Sequence, residues 1–446
     1  MKALQLIGGV RVFVEDLAQY ASEAYVLYTR FITNHHSQAK DLVKIKGATA
    51  IREEVIQRMA EAFVVNLDVL IEIQKILAPY TIPSLLVQLK PHENDDIGGY
   101  LKDHRYLKRD WGWDAASELQ LQSIKTALLE GIKANLPKGG KTLFLGAGVG
   151  RIAFDLADYF QKVYVTDKSF SMAYHYKKLL TSTVRFFEMD DRNLYSAEDS
   201  VREVTATMFP PHLDRTHVEI RLNKIDYFVS DVRKLPFEDQ SLDSVFSVYF
   251  TDVVALKFWL PEIKRVLKPS GFFTHFGPLD YFFRDINEML SANEIKQVFR
   301  DNGFDSVHDH MVETLHLPSL HSLTNKSYTN WCYVAKLGIS LAPKVIGEND
   351  RVLLVRKANY VVRGVIGGGQ IVEQNEITLA DGDVYEGASA LIEILKIINE
   401  NTEGILVRDI FSRLAVFIGD TSEKDIEVIL TSLKILAEHK IISIVN

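Results

Sequence analysis

A glycine-rich loop is the part of this sequence whose residue types point most directly to chemistry. It reads Leu143-Phe-Leu-Gly-Ala-Gly-Val-Gly-Arg151 and lies between an expected strand and an expected helix. Its alternate glycines permit a tight turn and a close approach of the backbone to a ligand, and the helix behind them offers free N–H groups. A dinucleotide site uses a similar turn, but its pattern has glycine where this chain has Arg151. The predicted ligand contacts in the loop are Gly146, Gly148, Gly150 and Arg151.

Two acidic residues follow the next two expected strands. Asp167 ends the second strand, where a carboxylate can accept hydrogen bonds from the hydroxyl groups of a ribose. Asp231 ends the third strand, where its side chain can reach an adenine amino group. A lone aspartate at such a place is more often a helix cap or a solvated strand end. Together with the glycine loop and the turn over residues 267–273, however, the two acids predict a site for S-adenosylmethionine (SAM).

Asp252 is the candidate for holding the methyl acceptor. It follows the fourth expected strand, where the acceptor meets the methyl group in sheets of this kind. A carboxylate there can hold a nitrogen nucleophile and orient its lone pair; the alternative is a cap for the next helix. His275 and Asp280 are further candidates for the pocket, although a lone histidine in a strand is more often structural.

The elements that must position these residues alternate between strand and helix. Residues 151–160 and 257–267 have helical spacing, and short buried strands lie before, between and after them. This alternation predicts a parallel sheet with helices on both faces, a Rossmann-like α/β domain over residues 96–340. A polar insertion at residues 188–222, with the pair Pro210-Pro211, is expected to be irregular. The predicted strands are Thr142–Leu145, Val163–Thr166, Ile225–Ser230, Ser244–Phe250 and Gly271–Phe276.

The chain on either side of this domain has a different pattern. Residues 12–86 show helical spacing, which predicts a helical N-terminal region over residues 1–95. The tail, residues 345–446, has short β-like segments, three helical stretches and a closing strand at 441–445, an order that suits a winged-helix domain. Its pattern is similar to that of winged-helix domains that bind leader peptides by adding the peptide to a sheet edge. A dimerisation module and a DNA-binding winged helix are the alternatives.

Length and charge limit the classes of function. The chain has 446 residues and a formal net charge of −8, so we expect more than one domain and no general nucleic-acid binding, which needs a basic footprint. The single cysteine, Cys332, excludes an internal disulfide and fits a reducing cytoplasm. No uncharged apolar run approaches the ~18 residues that span a bilayer. His35-His36 and the pair His308 and His310 have no third ligand at metal spacing. We expect a cytoplasmic protein without a metal or membrane partner; a homodimer stays open.

The chain also resembles a known family, the carnosine N-methyltransferases, from about Glu54 to Lys336. Four segments carry the resemblance, and the glycine loop described above is one of them. The other three are Arg109-Asp110-Trp111, Tyr249-Phe-Thr-Asp252 and Phe276-Gly-Pro-Leu-Asp-Tyr-Phe-Phe283.

The resemblance implies roles for individual residues. It makes Arg109, with Asp167 and Asp231, a contact of SAM. It makes Asp252 a contact of an imidazole dipeptide, with Tyr249 beside it. A histidine of the glycine-proline motif also contributes in that family, but this chain has Phe282 at that position. The remaining acceptor contacts implied by the resemblance and by the pocket candidates are His275, Tyr281, Phe282 and Tyr328.

The predicted reaction is transfer of a methyl group from SAM, by SN2 displacement, to a nitrogen of a peptide or small amino compound, with the histidine imidazole among the acceptors. SAM carries an activated methyl group, so positioning matters more than strong base catalysis. An oxygen acceptor is the alternative chemistry. A binding scaffold that holds SAM without turnover is the alternative of a different class.

Overall fold

The computed structural model describes residues 5–88, 99–133, 135–136, 138–190, 192–338, 346–355, 358–367, 370–379, 384–387, 389–418, 423–438 and 441–445. The chain divides into two compact units, residues 1–339 and 340–446. No helix among these residues is both long enough and apolar enough to cross a membrane.

The first unit is built from strands and helices that alternate along much of its length. Its strands are β1 Gln5–Ile7, β2 Val10–Phe13, β3 Lys141–Leu145, β4 Lys162–Asp167, β5 Val184–Met189, β6 Val201–Ala206, β7 Ile225–Ser230, β8 Leu242–Val248, β9 Leu267–Gly277, β10 Phe304–His316 and β11 Lys326–Leu337. Its helices are α1 Leu17–Leu42, α2 Ala50–Val65, α3 Asp68–Leu77, α4 Pro83–Gln88, α5 Gly99–Trp111, α6 Ala115–Lys133, α7 Arg151–Leu156, α8 Phe170–Leu179, α9 Arg215–Lys224, α10 Leu260–Val266 and α11 Ala292–Asp301.

Within the described residues, nine strands of the first unit form one sheet in the order β1-β2-β7-β4-β3-β8-β9-β11-β10. The strands from β2 to β9 in this order run parallel, whereas β1, β11 and β10 pair antiparallel to their neighbours. The predicted Rossmann-like α/β fold is therefore confirmed. The chain leaves β3 towards β4 and β7, then returns to the other side of β3 at β8. Ligands in open α/β sheets bind at such a reversal, beyond the carboxyl ends of the strands.

The beginning of the chain differs from the prediction of helix from Val12 onwards. Val10 and Val12 alternate with exposed or half-exposed residues and point into the core, a period of two that forms a strand. β2 pairs in parallel with β7, with Val12 opposite Val229, and so extends the main sheet. Helix α1 begins only after Asp16, whose carboxylate accepts the N–H of Gln19.

The insertion that was predicted to be irregular is mostly regular. Strands β5 and β6 pair as an antiparallel ribbon, with Phe186 opposite Val204. Helix α9 follows after Asp214, whose side chain caps it by accepting the N–H of Thr216. The pair Pro210-Pro211 lies in the short connection between them, because proline supplies no N–H to a ladder or a helix interior.

Among its described residues, the second unit contains two small sheets and three helices. Its helices form a buried core with one of the sheets through residues such as Val352, Ile394 and Leu433. The three predicted helices and the closing strand are present; the winged-helix assignment stays a prediction. The predicted turn residues Gly368 and Gly369 lie outside the described residues. The sheets have the orders β16-β12-β17 and β13-β14-β15, and the elements are β12 Arg351–Leu354, β13 Ala358–Gly367, β14 Gln370–Leu379, β15 Val384–Gly387, β16 Ile405–Leu406, β17 Ile442–Val445, α12 Ser389–Asn399, α13 Val407–Ile418 and α14 Glu423–Glu438.

Candidate active site

The glycine loop joins β3 to α7 and needs glycine for two separate reasons. Gly146, Gly148 and Gly150 have φ values of 52°, 55° and 83°, in the left-handed region that favours glycine. A Cβ atom on Gly146 would lie 2.2 Å from the ring of Phe250, whereas one on Gly148 would meet no atom within 4 Å. Gly146 is therefore required for packing, and Gly148 leaves open space beside the backbone for a ligand.

Asp167 ends β4 and holds the loop. Its two carboxylate oxygens accept the N–H groups of Gly148 at 3.0 Å and of Ser169 at 2.9 Å. Burial raises the pKa of this carboxyl above its usual value. Asp167 lines two neighbouring cavities. The loop cavity, about 180 Å³, lies along Gly146 to Gly148, and the strand-end cavity, about 450 Å³, lies towards β7.

Asp231 follows β7 and lines the strand-end cavity. Partial burial alone would raise the pKa of its carboxyl, but hydrogen bonds from Arg233 outweigh this and lower the pKa to about 2. The carboxylate is therefore ionised at neutral pH and can accept hydrogen bonds. Phe250 and Phe258 line the same cavity and provide apolar walls for a flat ring.

Helix α5 brings Arg109 and Tyr106 to the other end of the loop cavity. Both residues also line a third space, the outer cavity, of about 520 Å³. The guanidinium of Arg109 pairs with the carboxylate of Asp110, Nη2 to Oδ1, at 2.6 Å. The indole N–H of Trp111 donates to the carbonyl of Val149 at 2.9 Å and so joins α5 to the glycine loop. The structure thus brings Arg109 together with the loop and Asp167, as predicted.

Arg151 does not line any of these three cavities, contrary to its predicted contact with the cofactor. The first residue of α7 directs its side chain away from the loop, towards α5 and α6. Its Nη1 donates to the carbonyl of Asp110 at 2.7 Å, and its Nη2 pairs with Glu118 at 2.9 Å. The guanidinium carbon lies 3.9 Å from the centre of the Trp113 ring. Arg151 is thus a positioning residue that fixes α7 against two helices.

Tyr249 occupies the turn after β8, in a left-handed conformation with φ 56°. Its N–H donates to the carbonyl of Phe276 at 2.8 Å, which ties the turn to β9. Its side chain lines both the loop cavity and the strand-end cavity. Burial raises the pKa of its phenol, so the ring is a neutral wall of the site. Tyr249 therefore lies between the loop cavity and the strand-end cavity, and its predicted catalytic role stays a prediction.

Asp252 is more buried than expected for a residue that holds the methyl acceptor. It is 3% exposed and lines none of the three cavities. Its Oδ2 accepts the N–H of Asp280 at 3.0 Å, and its carbonyl accepts the N–H of Phe282 at 3.0 Å. Burial raises the pKa of its carboxyl to about 6. Asp252 is not the cap of α10, which begins after Trp259; it holds the segment that carries Asp280 and Phe282.

His275 and Tyr281 are also structural in this arrangement. His275 is 1% exposed, with Nδ1 2.8 Å from the hydroxyl of Thr251 and Nε2 3.2 Å from the carbonyl of Gly277. Burial lowers the pKa of its imidazole to about 3. Tyr281 donates its hydroxyl to the carbonyl of Leu290 at 2.5 Å. Neither residue lines the three cavities.

The outer cavity collects the remaining predicted residues. Asp280, Phe282 and Tyr328 line it, and the hydroxyl of Tyr328 donates to Asp280 at 3.3 Å. Sequence reasoning missed His316, which lines the same cavity from the end of β10. The sequence carries no local signal for this position, because it depends on the pairing of β10 with β11, which sets His316 opposite Lys326. The described residues hold no cluster of three or more potential metal ligands.

Comparison with known proteins gives the family. Residues 100–338, more than half of the chain, match the model of the carnosine N-methyltransferase family. The chain belongs to the carnosine N-methyltransferase family. This membership confirms the predicted enzyme class, the SAM-dependent methyltransferases, and the predicted cofactor.

This member of the carnosine N-methyltransferase family has distant relatives among curated proteins. It is 26% identical over 238 residues to the carnosine N-methyltransferase of Rattus norvegicus, which covers 49% of this chain and 57% of that protein. It is 26% identical over 220 residues to a sterol 24-C-methyltransferase of Gibberella zeae, covering 45% of this chain and 53% of that protein. The chain spans about half the length of these relatives.

Solved structures of methyltransferases resemble part of the chain. A SAM-dependent methyltransferase from Aquifex aeolicus aligns with 53% of this chain and 98% of its own, at 17% identity and a TM-score of 0.32. A SAM-dependent methyltransferase from Methanosarcina mazei aligns with 47% of this chain and 97% of its own, at 14% identity and a TM-score of 0.31.

The side chains that the fold brings together fit SAM. The space beside Gly148 admits a ligand against the backbone, and the partly buried Asp167 can accept hydrogen bonds from ribose hydroxyls. Asp231 lies between apolar walls, where it can accept hydrogen bonds from an adenine amino group. Arg109 lies at the opposite end of the loop cavity and can pair with a carboxylate.

Proposed function

We propose that this protein transfers the methyl group of SAM to a nitrogen atom of a peptide or small amino compound, held in the outer cavity. One observation carries the proposal: the three cavities are neighbours that share lining residues. The strand-end and loop cavities share Asp167 and Tyr249, and the loop and outer cavities share Tyr106 and Arg109. A donor in the first two cavities would therefore be separated from an acceptor in the third by Tyr106 and Arg109.

When bound, SAM supplies an activated methyl group. The residues around the cavities then need only to orient the acceptor and to exclude water from the reacting atoms. Tyr249 and Tyr106 form the aromatic walls between donor and acceptor. The Asp252 carboxylate accepts the N–H of Asp280. Because Asp252 follows Tyr249 by three residues, this bond connects the acceptor side to the turn that carries Tyr249.

Asp280 is the carboxylate of the outer cavity that is best placed to hold an acceptor with N–H groups. Glu188 and Asp190 line it but already pair with cations: Glu188 with Lys108 at 2.8 Å and Asp190 with Arg202 at 3.2 Å. Asp280 has a weaker ion pair, 3.9 Å to Lys326, and its side chain is 64% exposed. Its carboxylate can therefore hold an amine or an imidazole, with the hydroxyl of Tyr328 as a second contact. Asp280 thus takes the acceptor-holding role that the sequence analysis gave to Asp252.

The second unit is proposed to recruit a peptide acceptor. The sheet β13-β14-β15 has two edge strands, and an edge strand offers unpaired backbone groups to an added strand. Dimerisation and binding of DNA are the alternatives for this unit.

Incubation with methyl-labelled SAM tests the proposed reaction. The panel would contain carnosine, other histidine dipeptides and longer histidine-containing peptides, and mass spectrometry would locate the added methyl group. We expect label on a nitrogen atom. Label on an oxygen would establish the alternative chemistry, and tight binding of SAM without turnover of any acceptor would indicate a scaffold.

A further inference from the structure

His316 has a nitrogen atom that lacks a partner. Its Nδ1 is buried, and no described residue forms a hydrogen bond with it. Buried polar atoms are nearly always satisfied, and exceptions are frequent where a ligand completes them. The ring lies in the wall of the outer cavity, so a ligand in that cavity is the partner that the position offers.

The surroundings of His316 place it between donor and acceptor. Its ring centre lies 5.9 Å from that of Tyr249, which lines the loop cavity, and 4.8 Å from that of Tyr328, which lines the outer cavity. The charged groups that act on it from other elements are Arg109 of α5, Lys326 of β11 and Asp280 after β9. Burial, followed by the charges of Arg109 and Lys326, lowers the pKa of the imidazole to about 4. The ring is therefore neutral at physiological pH.

We propose that His316 binds the methyl acceptor through Nδ1, with its ring proton on Nε2, and accepts the proton that the acceptor loses when its nitrogen is methylated. This inference rests on the proposed function. The acceptor nitrogen forms its bond to the methyl carbon, the carbon–sulfur bond breaks, and the sulfur leaves as the neutral thioether of S-adenosylhomocysteine. The N–H proton of the acceptor passes to Nδ1. The ring as a whole is only partly buried, so the imidazolium releases a proton to solvent and becomes neutral again.

Two substitutions separate binding from proton transfer. His316→Phe keeps a ring but removes both nitrogen atoms, and His316→Asn keeps a polar atom close to the place of Nδ1 but cannot accept the proton. We expect kcat/KM for the acceptor identified in the panel to fall by roughly 10²–10⁴-fold in His316→Phe. In His316→Asn we expect KM to stay within about threefold while kcat falls. His310→Phe, at a histidine of the same strand that lines none of the three cavities, is the matched control and should keep wild-type kinetics.

A spectroscopic measurement tests the contact without turnover. Long-range ¹H–¹⁵N spectra of the histidine rings would be recorded on the protein saturated with S-adenosylhomocysteine, with the His316 signals assigned by their loss in His316→Phe. We expect a neutral Nε2–H tautomer whose Nδ1 resonance shifts when the acceptor is added. An unshifted Nδ1 resonance, or wild-type kinetics in His316→Phe, would overturn the role of His316 while leaving methyl transfer intact. Absence of methyl transfer in the wild-type protein would instead count against the proposed function.

Discussion

Many residues around the loop and strand-end cavities come from the ends of neighbouring parallel strands, whereas those around the outer cavity come from the helices α5 and α6, from the loops after β5, β9 and β10, and from the ends of the antiparallel strands β10 and β11. Asp167 and Asp231 each follow a strand of the parallel sheet directly. Asp280, His316 and Tyr328 do not follow strands of the parallel sheet in this way, and they meet through the pairing of β9, β11 and β10. The cofactor side thus follows a regular pattern of strand ends, whereas the acceptor side follows no such pattern.

The largest expected effect is acid unfolding, which tests whether both sides belong to one cooperative core. Burial lowers the pKa of His175, on the helix α8 that follows Asp167, to about 4, and that of His275, on β9, to about 3. Above pH 6.5 both histidines are neutral in the folded and in the unfolded chain, so they do not change the free energy of unfolding with pH. Below pH 6.5 the unfolded chain binds protons that the folded chain refuses, so each histidine costs about 1.4 kcal/mol of unfolding free energy per pH unit down to its folded pKa.

Urea unfolding between pH 7.5 and 5, followed by circular dichroism and tryptophan fluorescence, measures this loss. We expect both probes to give the same midpoint, which moves to lower urea as the pH falls. A midpoint independent of pH would contradict the buried neutral histidines, and divergent midpoints would mean that the two sides unfold separately.

Asp167→Ala is the sharpest test of the cofactor side. The substitution removes hydrogen bonds to the ribose and the contact that holds the Gly148 N–H. Each charge-assisted bond is worth about 1.5–3 kcal/mol, so we expect SAM affinity to fall by roughly 10- to 100-fold or more. Isothermal titration calorimetry checks this, with Asp167→Asn as the matched variant because its amide oxygen still accepts one N–H. Equal affinities in wild type and Asp167→Ala would remove the residue from the site.

Asp280→Asn and Asp252→Asn compare the two acids of the acceptor side. Asp280 lines the outer cavity, so loss of its charge should raise the acceptor KM about tenfold and leave SAM affinity unchanged. Asp252→Asn should change KM less than about threefold, because an amide oxygen can still accept the N–H of Asp280. Initial-rate kinetics at saturating SAM gives both values. A loss of turnover of about 10²–10⁴-fold in Asp252→Asn would restore the sequence-based role of that acid.

Removal of the second unit tests whether this unit contributes to the binding of a peptide acceptor. A shortened protein ending at Lys344 should bind SAM like the full chain, because all residues of the three cavities precede residue 340. It should methylate a small acceptor normally but bind a peptide acceptor about tenfold more weakly. Calorimetry with the two acceptors distinguishes them. An unchanged affinity for the peptide would rule out recruitment by this unit.

Phe282→His is expected to have the smallest effect. Phe282 is 72% exposed at the outer cavity, so an imidazole fits there without loss of core packing. We expect a gain of a few-fold in activity on imidazole dipeptides, through one added hydrogen bond. Phe282→Leu, which adds no polar atom, is the control, and competition between carnosine and a longer peptide is the assay. A decrease in dipeptide activity would show that the aromatic ring itself contacts the acceptor.

The sequence by itself determined the parallel sheet, the glycine loop and the two strand-end acids, because strand and helix periodicity and the turn residues are local properties of the chain. It did not determine the edge strand β2, whose register with β7 depends on a pairing partner more than two hundred residues away. It also misplaced Arg151, Asp252 and His275, since residue type fixes what a side chain can do but not where it points. His316 entered the site only through the antiparallel pairing of β10 with β11. Tertiary structure decided which of the polar side chains face the cavities and which are buried as supports.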